Sequence, residues 1–190
     1  MPKDIRDNPL SPALESVCRL LQQEDIEGMI IGGLAASLLG RPRFTNDIDL
    51  IILDLDDRIP EFIQNLKKFG MEPRISDVEE FAAESRMLLL RHTESGINID
   101  ISMGILPFER AAVERRRVES ASGLEILLPT PEDLIVFKSI SPRTVDIEDI
   151  KAIIARHPDI NVKQVLSTVK EFADILEMPE IYKKIESQLK

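Results

Sequence analysis

The stretch Ile30–Leu53, "IIGGLAASLLGRPRFTNDIDLIIL", constrains the fold more than any other part of the chain. It joins an apolar run to two adjacent glycines, a short helix-forming patch, and two aspartates one residue apart in an otherwise apolar segment. Asp47 to Leu53 reads as a strand. Strand side chains alternate faces, so Asp47 and Asp49 point one way and Ile48, Leu50 and Ile52 the other. "INIDIS" repeats the pattern, with Ile97, Ile99 and Ile101 on one side and Asn98, Asp100 and Ser102 on the other. If the two strands are neighbours, three carboxylates converge on one face. Two such charges about 5 Å apart repel by about 3 kcal/mol at an effective dielectric of about 20. Asp is also disfavoured in strands. A compensating cation resolves the conflict, and Mg2+ suits a site of one or two carboxylates completed by water and substrate phosphates. Solvent-facing aspartates on strands are common, so a solvated-charge reading stands beside the metal reading. Asp54, Asp56 and Asp57 trail the strand and read as solvated loop charges.

The flanking pattern predicts a mixed α/β core of the α+β type: a mixed β-sheet with flanking helices, followed by a C-terminal helical region. A first helix opens at Ser11, with Pro12 at its first position and Leu14, Val17, Cys18 and Leu21 on one face. "GMII" reads as a buried strand, and "LAASLLG" as a short helix closed by Gly40. Ile59, Phe62, Ile63, Leu66 and Phe69 mark an amphipathic helix ended by Gly70. Ser76 and Glu79 read as a capping box. "RMLLLRH" and "INIDIS", separated by "TESG", read as a hairpin, and "GLEILLP" as the last strand of the sheet. Thr130 and Pro131 open a helix through Lys138, and the rest is helical: Ile147, Ile150 and Ile154 share a face, as do Val162, Val165, Val169 and Phe172, then Ile181 and Ile185. The expected division is residues 1–129 for the core and 130–190 for a helical region packed on it.

Composition narrows the function classes. A chain of 190 residues with 43% hydrophobic and 31% charged residues carries enough apolar mass for a core. A net charge of -10 excludes a broad grip on nucleic-acid phosphates, so any such contact must be focal. One tyrosine and no tryptophan leave little for a base-stacking platform. Cys18 sits on an apolar stripe and reads as a buried small hydrophobe. "MPKDIRDNPLSP" lacks a signal-peptide core and no run reaches membrane-span length, so a reducing cytoplasm and no membrane partner are expected. His92 and His157 are isolated and read as surface histidines. "ERAAVERRRVES" sets Arg110, Arg115, Arg116 and Arg117 where a polyanionic acceptor could lie, although the interleaved glutamates favour a salt-bridged helix face.

"IGGLAASLLGRPRFTNDIDLII", with a third Asp on a later strand, resembles the signature of the polymerase-beta-like nucleotidyltransferase superfamily. Within it, "GG…R-x-T-x-D-I-D-L" is most like the AbiEii/MenA toxin-type nucleotidyltransferases and their short uncharacterised relatives. The resemblance implies transfer of a nucleoside monophosphate from an NTP, with pyrophosphate leaving. Asp47 and Asp49 would hold the Mg2+ that carries the triphosphate, and Asp100 would complete a two-ion site and help deprotonate the acceptor hydroxyl. Mn2+ is the alternative ion. Gly32 and Gly33 fit independently, because a residue without a β-carbon lets backbone N–H groups approach phosphate beside a helix start; a tight strand-to-helix turn explains them equally. Arg43 and Thr45 precede the strand as in the toxin-type motif, Arg43 as a phosphate contact or a plain surface arginine. "PEDLIVFKSISPRTVDIEDI" supplies Lys138, Arg143, Asp146 and Asp149; by the resemblance Lys138 meets nucleotide phosphates, and Asp146 orients Lys138 or helps bind nucleotide. Val145 stands where the family usually has a basic residue, and the chain is shorter than the full toxins.

Three readings follow. One is an Mg2+-dependent toxin-type nucleotidyltransferase acting on an RNA end, tRNA above all, or on a protein, with an antitoxin protein as partner. The second is an enzyme modifying a small hydroxyl compound such as an aminoglycoside; antibiotic enzymes often carry Trp after their glycine pair, where this chain has Leu34. The third is a non-catalytic nucleotide-binding antitoxin or regulator, disfavoured because all three aspartates are present.

Overall fold

The computed structural model describes residues 10–23, 26–121, 123–140 and 142–189, so most of the N-terminal segment read for a leader lies outside the described residues. They form two compact units: residues up to Leu34 with Thr45–Leu128, and Ala35–Phe44 with the chain from Pro129 onward. The second unit thus takes in a segment from within the signature stretch as well as the C-terminal helices.

In the first unit the chain runs through α1 (Ser11–Gln23), β1 (Gly28–Ile31), the start of α2 (Gly32–Leu39), β2 (Asp47–Leu53), α3 (Ile59–Leu66), β3 (Met71–Pro73), α4 (Val78–Ser85), β4 (Met87–His92), β5 (Asn98–Gly104), α5 (Pro107–Glu114), β6 (Arg117–Ala121) and β7 (Leu124–Leu128). Among the described residues, five strands form one sheet in the order β1-β2-β5-β4-β3. β2 and β5 run parallel and the other neighbours antiparallel, which gives the mixed sheet expected. One face is built from register rows. Ile30, Leu50, Ile101 and Leu88 form one row, Ile48, Ile99 and Leu90 the next, and all are fully buried. Each such side chain contributes on the order of 1.5–3 kcal/mol. A one-residue slip would turn the aspartates into this layer, so burial fixes the register.

Several local expectations are corrected. "GLEILLP" does not join the main sheet: β7 pairs with β6 in a separate two-stranded sheet. Ser76 and Glu79 form no capping box; α4 begins at Val78 after Asp77, with no side-chain cap. The arginine-rich run is split between α5 and β6. Arg110 there pairs with Asp54, Arg115 lies over the Phe108 ring, and Arg116 Nη1 donates to the Val113 carbonyl. Asp54 and Asp56 are ion-paired, with Arg110 and Arg86, rather than simply solvated. His92 is buried, not a surface histidine. The Ser95 N–H donates to its Nδ1 at 3.2 Å, so Nε2 carries the proton and donates to Ser16 Oγ at 3.2 Å. Cys18 is buried, and burial pushes its thiol up to about 11.

The second unit holds the rest of α2 with α6 (Pro131–Ser139), α7 (Thr144–Arg156), α8 (Val162–Ile175) and α9 (Pro179–Leu189). Thr130 caps α6 by accepting from the Asp133 N–H, and Asn161 caps α8 through the Gln164 N–H. Val165, Val169, Ile181 and Ile185 are buried as their spacing requires. In α7 the buried face is shifted from the expected one. Ile150 and Ile153 are buried with Asp146 and Asp149, while Ile147 and Ile154 are half-buried. The end of α2 lies close against α7, because a β-carbon on Gly40 would stand 3.2 Å from the Ile153 amide nitrogen. His157 Nε2 donates to the Leu39 carbonyl at 2.8 Å and Arg156 Nη1 to that of Gly40 at 3.1 Å. Among the described residues no helix is long and apolar enough to cross a membrane.

Candidate active site

The three aspartates of the first unit lie on neighbouring strands. Asp49 is the register partner of Asp100 across the parallel β2–β5 pair, and Asp47 is that of Asn98. Adjacent strands are about 4.8 Å apart and register partners share a face, so Asp47, Asp49 and Asp100 stand on the side opposite the Ile48–Leu50 layer. All three are half-buried. Thr45 is buried, and its hydroxyl donates to Asp47 Oδ1 at 2.7 Å, which fixes that carboxylate. Gly32, at φ +66°, opens α2 against Asp49: a β-carbon there would stand 1.9 Å from Asp49 Oδ2. Gly33 follows in the first turn of α2.

Arg74, just past β3, donates from Nη2 to Asp100 Oδ1. Burial pushes the Asp100 carboxyl up; the Arg74 charge opposes this and the Asp47 charge adds to it. Among the described residues no group of three His, Cys, Asp or Glu side chains is placed to hold a metal ion as it stands. The donor set is nevertheless hard oxygen throughout, half-exposed, and cradled beside a glycine. Those are the donors a divalent ion such as Mg2+ takes.

The second unit carries a different constellation. Lys138 is buried, and its Nζ lies 2.9 Å from Asp146 Oδ1 and 2.8 Å from Asp149 Oδ2. Arg43 grips Asp149 at both oxygens, Nε at 2.8 Å and Nη2 at 2.9 Å. Arg143 donates from its backbone N–H and its Nε to Asp146 Oδ2, at 3.0 and 2.9 Å. Arg43 and Lys138, both expected at nucleotide phosphates, are therefore held by carboxylates of their own unit. Ser37 pins the Arg43 backbone, with its hydroxyl accepting from the Arg43 N–H at 3.1 Å.

Burial pushes Asp146 up, but hydrogen bonds from Arg143 and Lys138 outweigh it and hold the carboxyl at about 2. Asp149 is likewise lowered, burial being outweighed by Arg43 and Lys138. Both folded values lie below the ordinary 3.8. The stability they contribute is complete above the unfolded value and lost as pH falls through the folded one. The chain's single tyrosine, Tyr182 on α9, reports on this unit without tryptophan interference. Its fluorescence should give a urea midpoint that holds between about pH 7 and 5 and drops between about pH 4 and 2. A midpoint independent of pH below 4 would contradict the ion network.

Residues 10–183 match the family model described as "Nucleotidyltransferase of unknown function" (DUF6036). The chain belongs to this family. It is accordingly an enzyme of the nucleotidyltransferase type. No curated protein matches the sequence significantly. Among solved structures, it is similar to an antigenic nucleotidyltransferase-like protein from Paracoccidioides brasiliensis, with 15% identity, TM-score 0.56, and 94% of this chain and 93% of that one covered. It is also similar to the antibiotic-resistance factor ANT(2'')-Ia in solution, at 15% identity and TM-score 0.59, covering 90% of this chain and 95% of that one. The lincosamide antibiotic adenylyltransferase LnuA matches at 18% identity and TM-score 0.50, covering 72% and 91%. At such identities these likenesses establish the nucleotidyltransferase fold.

Sequence reading named the carboxylates and missed Arg74. Nothing in "MEPR" marks a strand, since β3 spans only Met71–Pro73 and includes a proline. Without that edge strand the arginine has no assigned place.

Proposed function

We propose that this nucleotidyltransferase moves a nucleoside monophosphate from an NTP to a hydroxyl acceptor, using a divalent cation held by Asp47, Asp49 and Asp100. The in-register juxtaposition of Asp49 and Asp100, with Asp47 on the same face, carries this reading. Mg2+ is the expected ion and Mn2+ the alternative. Bound there, it supplies positive charge for the triphosphate and for the developing pyrophosphate leaving group. Thr45 keeps Asp47 oriented, and Gly32 and Gly33 leave backbone N–H groups accessible to phosphate oxygens. Asp100, on the same face as the aspartate pair, is assigned to help deprotonate the acceptor hydroxyl as the acceptor oxygen bonds to the α-phosphorus and the bond to the β-phosphate oxygen breaks. Arg43, Lys138 and Asp146 are assigned to nucleotide binding; Lys138 is paired with Asp146 and Arg43 with Asp149, which holds the two cations in fixed positions.

Two acceptor classes are carried. The toxin-type motif supports an RNA end, tRNA in particular, or a protein, with an antitoxin as partner. Likeness along nearly the whole chain to ANT(2'')-Ia, solved also with adenylyl-2''-tobramycin, supports a small hydroxyl compound. Labelled NTPs with Mg2+ and either total tRNA or an aminoglycoside panel separate the two. Label on neither, and none on protein, would count against both acceptor classes.

Nucleotide with Mg2+ should raise the melting temperature. Ligand at a hundred times its Kd stabilises by about 2.7 kcal/mol, which for a chain of this size is about 5–10 °C. Asp47→Asn should abolish the rise. A wild-type melting temperature indifferent to Mg2+ and NTP would return the aspartates to the status of solvated charges.

A further inference from the structure

Ile31, Asp49, Asp100 and Leu89 form one register row across β1, β2, β5 and β4. The row continues past the end of β3, where the Arg74 N–H donates to the Leu89 carbonyl at 2.8 Å. Members of a row face the same side, so Arg74 belongs to the carboxylate face. Its backbone stands two strand spacings from that of Asp100, about 10 Å. The long arginine side chain closes that gap, since its Nη2 reaches Asp100 Oδ1. A short side chain at this position could not.

The pair is open to solvent, with side chains 26% and 27% exposed. It is therefore far more accessible than the Lys138–Asp146 pair of the second unit, where the side chains are 5% and 6% exposed. The pair commits Asp100 to a cation that the chain itself supplies, and among the described residues no group of three His, Cys, Asp or Glu side chains is placed to hold a metal ion as it stands. A divalent ion needing Asp100 must take that oxygen from a guanidinium.

We propose that Arg74 is the resident counter-cation of Asp100. It holds this carboxylate in the metal-free enzyme and yields it when the divalent ion binds, so competition with the guanidinium sets metal affinity. This rests on the metal role of Asp47, Asp49 and Asp100 proposed above. It makes Arg74 a positioning residue: it keeps the third carboxylate facing the site without charge repulsion until metal arrives. Arginine suits the task, being permanently charged and able to form a directed hydrogen bond to one oxygen.

The test is Mn2+ binding to the full chain without nucleotide, by electron paramagnetic resonance titration. Wild type is compared with Arg74→Ala, Arg74→Lys, Asp47→Asn, Asp100→Asn and the double variant Arg74→Ala with Asp100→Asn. Arg74→Gln replaces the alanine variant should that one not fold. Arg74→Ala should bind Mn2+ on the order of tenfold more tightly, because a unit charge close to the ion is removed. Arg74→Lys should stay near wild type. In the Asp100→Asn background the gain should shrink to less than about threefold, since only the diffuse charge effect is left. Equal or weaker binding by Arg74→Ala overturns the proposal, as does a gain that persists undiminished without Asp100. Wild-type binding that depends on Asp47 while Arg74→Ala changes nothing defeats the competition alone. No Mn2+ binding by any variant defeats the metal reading and this inference together.

Discussion

Replacing Gly32 by alanine is expected to slow nucleotidyl transfer by at least about a thousandfold, equivalent to about 4 kcal/mol in the barrier. The new methyl would stand 1.9 Å from Asp49 Oδ2, 2.6 Å from its Cγ and 2.7 Å from its Cβ. No real contact is that short, so either Asp49 must leave its position opposite Asp100 or the start of α2 must move. The backbone adds its own resistance, because φ at Gly32 is +66° and a left-handed alanine costs about 1–2 kcal/mol. Gly96→Ala is the matched control: its φ is +70° in the β4–β5 turn, but no atom lies within 4 Å of the added carbon. It should lose similar stability and keep its transfer rate. Initial rates with labelled NTP, read alongside melting temperatures, separate the two effects. Transfer by Gly32→Ala at a rate near that of Gly96→Ala would mean that Asp49 does not need its present position.

Lys138→Met is expected to destabilise the helical unit by about 3–5 kcal/mol, the usual cost of removing one partner from a buried ion pair. Lys138 is 7% exposed, and Asp146 and Asp149, 5% exposed each, converge on its ammonium. Methionine matches the stem and removes the charge, which leaves two buried carboxylates leaning on Arg143 and Arg43 alone. Urea titration followed by Tyr182 fluorescence measures the loss. Adding Asp146→Leu should recover part of it, since a buried charge without its partner is what costs most. A loss under about 1 kcal/mol in Lys138→Met would mean that solvent reaches the network freely.

Much of the candidate site's geometry was legible because the relevant signals are local. Alternation of Asp with Ile or Leu declared the faces of β2 and β5, and the glycine pair before a helix-forming run marked the turn beside them. The start of α6, with Thr130 before Pro131, was equally plain. Errors fell where distant residues decide an outcome. His92 looked solitary in sequence and is buried because Ser16 and Ser95 supply its hydrogen bonds. "GLEILLP" has the pattern of a strand, but no local feature says which strand it pairs with, and β6 took it. The buried face of α7 shifted because Asp146 and Asp149, polar by type, are neutralised by Lys138 and the two arginines.

The sequence by itself determined which side chains share a face, because the two-residue period of a strand and the turn chemistry of glycine are properties of adjacent residues. Tertiary structure alone decided that β2 and β5 are parallel neighbours with Asp49 opposite Asp100, that Arg74 reaches the same row from just past the edge strand, and that Lys138 is enclosed by two aspartates. The physical reason is that strand order, register and the pairing of buried charges minimise the free energy of the whole packed unit. No single segment carries that information.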